Sequence, residues 1–241
     1  MSGHSKWHNI QARKGKADAQ RSNVFTKLGR ELAVSVKEGG PDPATNTRLR
    51  LAIQKAKENN MPNDTITKAI KKANGELGSV NYENITYEGY GIGGSAVIVE
   101  CLTDNKNRTA GDVRHAFDKF GGSLGTSGSV SYMFKRKGQI IIEKTDSLSM
   151  DDLFLLAVDA GAEDIIEDED SYEVLTLPEN FEAVVKALEE GGVVIAAKSI
   201  TQIPDVWVED LDEKQTLTFE KMFDMLDALD DVQDIYHNVK I

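Results

Sequence analysis

From residue 22 onward the chain repeats apolar residues three and four positions apart. In SNVFTKLGRELAVSVKEGG, Val24, Phe25, Leu28, Leu32 and Val36 share one helical face. Ser22 or Asn23 suits the N-cap, and Gly39-Gly40-Pro41 closes the segment. The next segment, TNTRLRLAIQKAKENN, repeats the spacing with Leu49, Ala52, Ile53 and Ala56. The third, MPNDTITKAIKKANGE, does so with Ile66, Ala69, Ile70 and Ala73; Asn63 serves as a cap and Asn74-Gly75 as a left-handed stop. Three short amphipathic helices with compact loops predict a small bundle over 22–80. Residues 1–21 lack apolar periodicity, cannot fold alone around a core and read as a mobile arm.

From Asn81 the pattern shifts to short apolar runs alternating with helical stripes. SAVIVECLT reads as a strand, NRTAGDVRHAFDKFGG as a helix facing inward through Val113, Ala116, Phe117 and Phe120, and SVSYMFKRKG as a strand ending in a basic turn at 135–137. QIIIEKT, MDDLFLLAVDAG, AEDIIED, SYEVLTL, ENFEAVVKALEEGG and VVIAAKSI then predict strand, helix, strand, strand, helix, strand, the order of a ferredoxin-like split β-α-β unit. The tail, DVWVED, KQTLTFEKMFDMLDALDD and VQDIYHNV, predicts strand, helix, strand. It is too short to stand alone and completes the elements of 96–134. The expected fold class is therefore α+β and multidomain: a basic arm (1–21), a three-helix bundle (22–80), an α+β domain (81–134 plus 201–241), and a second ferredoxin-like domain (135–200) inserted into it.

Charge sharpens this division. The formal net charge is −12, yet residues 1–78 hold 15 basic and 7 acidic residues, against 13 basic and 33 acidic in the remainder. A basic segment confined to one end of an acidic chain is the footprint of a nucleic-acid-binding module. The candidate contacts are Lys6, Trp7, Arg13, Lys14, Lys16 and Arg21 in the arm, Lys27 and Arg30 on the first helix, Arg48, Arg50, Lys55 and Lys57 on the second, and Lys68, Lys71 and Lys72 on the third. On each helix these cations lie opposite or beside the apolar stripe, while Trp7 among cations can stack on a base. Phosphate contacts of this kind supply affinity and little sequence information.

Other chemistry finds less support. Gly89, Gly91 and Gly94 in EGYGIGGSA match G-x-G-x-x-G, but the run precedes a strand instead of opening a helix, so a turn is expected in place of a dinucleotide site. GGSLGTSGSVSY reads as a flexible loop able to touch a partner. Asn107-Arg108-Thr109 forms a glycosylation triplet, which a cytoplasmic chain would leave unused. His4 and His8 lack the further ligands of a metal site, and the single cysteine, Cys101, sits in an apolar strand and suits a reducing compartment. No nucleophile elbow or other catalytic motif is present. The expectation is a cytoplasmic, non-enzymatic protein without cofactor, metal or membrane association. The basic N-terminus raises an organelle-targeting leader, but its mixture of Lys, Gly, His and Asn lacks the arginine-rich amphipathic pattern of one.

GHSKWHNIQARKGKADAQRSNVFTKLGREL, NTRLRLAIQKAKENNMPNDTITKAIKKANGE, TYEGYGIGGSAVIVECLTDNKNRTAGDVRHAF and GSLGTSGSVSYMF resemble the YebC/PmpR family of bacterial regulatory proteins, whose mitochondrial relatives include a translational activator of a cytochrome oxidase subunit. The resemblance spans essentially the full chain. It implies a helical N-terminal domain followed by two α+β domains, and a DNA-binding transcriptional regulator. The alternative it carries is a ribosome-associated translation factor that binds ribosomal RNA and eases synthesis of difficult sequences such as proline runs. A basic protein partner at the acidic domains is a further possibility.

Overall fold

The computed structural model describes residues 6–75, 82–145 and 148–240, with residues 6–22 described by their helical backbone alone. Three helices come first: α1 (Lys6–Gly39), α2 (Thr47–Glu58) and α3 (Asn63–Gly75). They are followed by β1 (Glu83–Tyr90), β2 (Ala96–Thr103), α4 (Lys106–Lys119) and the two-residue β3 (Ser123–Leu124). Next come β4 (Phe134–Glu143), α5 (Met150–Asp159), β5 (Ala162–Glu167), β6 (Ser171–Thr176), α6 (Phe181–Glu190) and β7 (Ile195–Pro204). The chain closes with α7 (Glu213–Asp227) and β8 (Val232–His237). The fold is α+β, with two antiparallel four-stranded sheets ordered β3-β1-β2-β8 and β5-β6-β4-β7. Two compact units divide the chain, one of Lys16–Ser131 with Leu211–His237, the other built around Tyr132–Asp210 and Asn238–Ile241.

The helical stripes pack as the spacing predicts. Leu28, Leu32 and Val36 of α1 meet Leu49, Ala52 and Ala56 of α2, then Met61 and Ile66, in one buried cluster. Asn46 fixes the corner between α1 and α2. Its buried side chain donates to the carbonyls of Ser35 (2.7 Å) and Gly40 (2.8 Å) and accepts from the Leu49 N–H (3.0 Å). One amide thus satisfies orphan groups at the end of one helix and the start of the next. A Cβ on Gly39 would lie 2.7 Å from that amide, which explains the glycine.

The beginning of α1 departs from the sequence reading. Residues 6–21 continue the helix, and Ser22 and Asn23 lie inside it instead of capping it. Ala12, Ala17, Ala19, Gln11 and Gln20 are favourable helix residues, and adding turns to an already nucleated helix costs little.

β4 is a second departure. It runs through the expected basic turn, and Lys135, Arg136 and Lys137 pair with Ile203, Gln202 and Thr201 of β7. Gly138, next to that expected turn, is a strand position where a Cβ would fall 2.3 Å from Thr176 Oγ1 and 2.5 Å from Phe181 Cδ2. It is there for close packing and makes no turn. The strand expected at DVWVED reduces to one isolated bridge, Val208 with Val239. The run Gly91–Gly94 makes a single 3-10 turn joining β1 to β2, with positive φ at Gly93 and Gly94.

Candidate nucleic-acid interface

The side chains of Lys6, Trp7, Arg13, Lys14, Lys16 and Arg21 lie outside the described residues; their backbone belongs to α1. At 1.5 Å per residue, positions 6 to 21 extend along about 22 Å of helix axis.

Lys27 and Arg30 are engaged in contacts within the protein. Lys27 donates to the Asp227 carbonyl (2.7 Å) and carboxylate (2.9 Å) and is 12% exposed. It therefore serves the end of α7, where the last carbonyls lack helical partners. Arg30 pairs with the Asp231 carboxylate and donates to the Asp230 carbonyl (2.8 Å), with its guanidinium 5.9 Å from the Tyr82 ring centre. The face opposite the helical stripe is itself covered: Ala33, Val34 and Ser35 are buried alongside Leu32. A single-stripe reading of α1 took this second contact face for solvent.

The cations of α2 and α3 fall into two groups. Arg48 pairs with Glu38, and Lys55 lies 3.9 Å from Asp234, both as surface pairs of small energetic weight. Arg50, Lys57, Lys68, Lys71 and Lys72 are exposed and make no ion pair among the described residues. Arg50 and Lys57 share one flank of α2, and the three lysines share the outer face of α3 opposite Ile66. This surface can neutralise several phosphates at once.

A buried ionic node holds the helical segment to the first sheet. Asp231, 6% exposed, accepts from Arg108 Nη2 (2.8 Å) and Nε (3.2 Å), Thr109 Oγ1 (2.7 Å), Thr103 Oγ1 (3.2 Å) and Arg30. Burial opposes its ionisation, but donation from Arg108, Thr109 and Arg30 outweighs this and holds the carboxyl below its ordinary range. Donation to Asp231 and Asp104 likewise pushes the Arg108 guanidinium up. Arg108 and Thr109, two members of the glycosylation triplet, are here structural ligands of a carboxylate more than 120 residues distant. Cys101 is 2% exposed, and burial, reinforced by the nearby Asp231 charge, pushes its thiol up to about 12. A thiol so placed is a poor nucleophile. Among the described residues there is no group of three or more His, Cys, Asp or Glu side chains able to hold a metal, and no helix long and apolar enough to cross a membrane.

Comparison with known proteins decides the family. Residues 5–76 match the TACO1/YebC protein N-terminal domain, and residues 82–239 match the TACO1/YebC second and third domain. This chain belongs to the TACO1/YebC family. A Clostridium botulinum protein named "probable transcriptional regulatory protein" is 58% identical over 241 residues, covering 100% of this chain and 97% of that one. A namesake from Agathobacter rectalis is 56% identical over 239 residues, covering 99% of both. The crystal structure of a conserved hypothetical protein from Aquifex aeolicus superposes with a TM-score of 0.79 at 44% identity, covering 94% of this chain and 93% of that one.

In this TACO1/YebC chain the glycine-rich loop after β3 is anchored, in contrast to the flexible loop that its composition suggests. Glu88, 5% exposed on β1, accepts from the N–H groups of Gly128 (2.8 Å), Val130 (2.9 Å) and Ser131 (2.8 Å). Burial would raise its carboxyl, but these donors outweigh that and hold it low. Glu88→Ala is expected to speed amide hydrogen exchange at those three residues about a hundredfold, since bonds to a charged acceptor are worth roughly 1.5–3 kcal/mol each. Unchanged exchange would contradict the anchoring role.

Proposed function

We propose that this protein is a non-enzymatic, cytoplasmic regulator that binds nucleic acid, with DNA as its target, and needs no cofactor. The observation that carries this reading is the set of exposed cations Arg50, Lys57, Lys68, Lys71 and Lys72 on α2 and α3, free of carboxylate partners among the described residues. The basic residues of early α1, Lys6, Arg13, Lys14, Lys16 and Arg21, extend the same charge along the sequence. Relatives named as transcriptional regulatory proteins support a role in transcription. In this reading the helical segment is the binding module. Residues 81–134 with 201–241 form one α+β domain, into which 135–200 is inserted as a ferredoxin-like domain.

The contacts run to phosphate, so affinity is expected to be high at low salt and weakly dependent on sequence. The test is crosslinking in cells followed by sequencing of both the DNA and the RNA recovered. Recovery of DNA that is lost when Arg50, Lys57, Lys68, Lys71 and Lys72 are replaced by Glu supports the proposal. Recovery of ribosomal RNA alone overturns the DNA assignment in favour of a translation factor, and recovery that the substitutions leave unchanged overturns the assigned surface.

A further inference from the structure

α5 is more apolar than its packing requires. Leu153 and Ala157 point into the core of the second sheet's unit, alongside Ile140, Val174, Val184 and Leu188. Yet Phe154 is 51% exposed, Leu155 63% and Val158 39%. These three lie at helical positions i, i+1 and i+4 on the outward side. Beside them, an open groove of about 540 Å³ is lined by Leu155, Leu156, Ala187 and Gly191, together with Asp159 and Glu190. Leu156 lies close against Gly191, where a Cβ would come within 2.7 Å of it, so the glycine leaves the groove floor open.

The surrounding charge narrows the occupant. Residues 148–194 contain 14 acidic residues and one basic residue, Lys186; Glu163, Glu167 and Glu189 among them pair with Lys137, Lys144 and Lys198 of flanking strands, whereas Asp151, Asp152 and Asp159 make no ion pair among the described residues. Asp151, Asp152 and Asp159 lie on α5 itself among its exposed apolar residues. Among the described residues the ion pair of Glu190 is an exposed contact with Lys186 at 3.7 Å, which leaves its charge largely uncompensated. An anionic membrane surface or a nucleic acid would be repelled. A second copy docking through the same face would set carboxylate against carboxylate. An apolar strip edged by acids fits an amphipathic helix whose other residues are Lys and Arg.

We infer that the outer face of α5 and the α5–α6 groove form a docking site for a lysine- or arginine-rich amphipathic helix of a partner protein. Apolar side chains of that helix enter the groove at Leu155 and Leu156, and its cations meet Asp159 and Glu190. This surface is separate from the nucleic-acid reading, and its failure would leave that reading intact.

The test uses the full-length chain and a fluorescent synthetic peptide of Leu and Lys, with the leucines spaced on one helical face. A scrambled peptide of the same composition serves as control. Saturable binding is expected, weakened at least about tenfold in Asp159→Lys/Glu190→Lys and, separately, in Leu155→Ser, each verified as folded by circular dichroism. The scrambled peptide is expected to bind at least about tenfold more weakly. Equal affinity in both variants, or no saturation by about 1 mM peptide, overturns the proposal. Concentration-dependent dimerisation of the unmodified chain that Leu155→Ser abolishes also overturns it, by making a second copy the occupant.

Discussion

Asp231→Ala is expected to destabilise the unit containing it by about 2–3 kcal/mol, because it leaves the buried hydroxyls of Thr103 and Thr109 and the part-buried Arg30 without their shared acceptor. The carboxylate sits at the start of β8 and gathers Arg30 from α1, Thr103 from the end of β2, and Arg108 and Thr109 from the first turns of α4. Three separate stretches of chain therefore lose one common acceptor. Thermal or urea unfolding of the unmodified and substituted chains measures the loss, and a change under about 1 kcal/mol would contradict the structural role. The sign with pH follows from the depressed carboxyl. Its contribution is fully present above the ordinary aspartate range and is lost as pH falls through the lowered folded value. The gap between the two chains should therefore narrow in acid and stay constant at neutral pH.

Reversing Lys68, Lys71 and Lys72 to Glu is expected to weaken nucleic-acid binding about a hundredfold or more while leaving the fold intact. All three are exposed on α3, on the side away from buried Ile66, and none makes an ion pair among the described residues. Their substitution therefore removes charge without opening the core. Lys27→Ala provides the contrast. It breaks the contact with Asp227 and acts on stability, because that cation is already taken.

The apolar stripes of α1, α2 and α3 were legible in the sequence because helical spacing reports one buried face directly. Leu32, Leu49 and Ile66 are as deeply buried as their positions imply. The strand–helix alternation of β4 to β7 was legible for the same reason. What escaped involved partners distant in sequence. Lys27 and Arg30 share their surface charge pattern with Lys68 and Lys71, and only the approach of Asp227 and Asp231, some 200 residues later, separates the two pairs. Glu88 is one acid on a strand and carries no mark of the loop it holds. Gly138 looks like a turn residue, because the side chain of Phe181 that needs its empty Cβ position is 43 residues away. The helix over residues 6–21 lacks a stripe, and its favourable helix residues are a weaker signal than periodicity.

A titration of duplex DNA with the full-length chain over a series of salt concentrations measures the electrostatic claim itself. With about six phosphates neutralised, log K is expected to fall against log salt with a slope near −5, and Lys68→Glu/Lys71→Glu/Lys72→Glu should flatten that slope by about three. Absence of saturable binding at low salt, or a slope and affinity that the three reversals leave untouched, would contradict it.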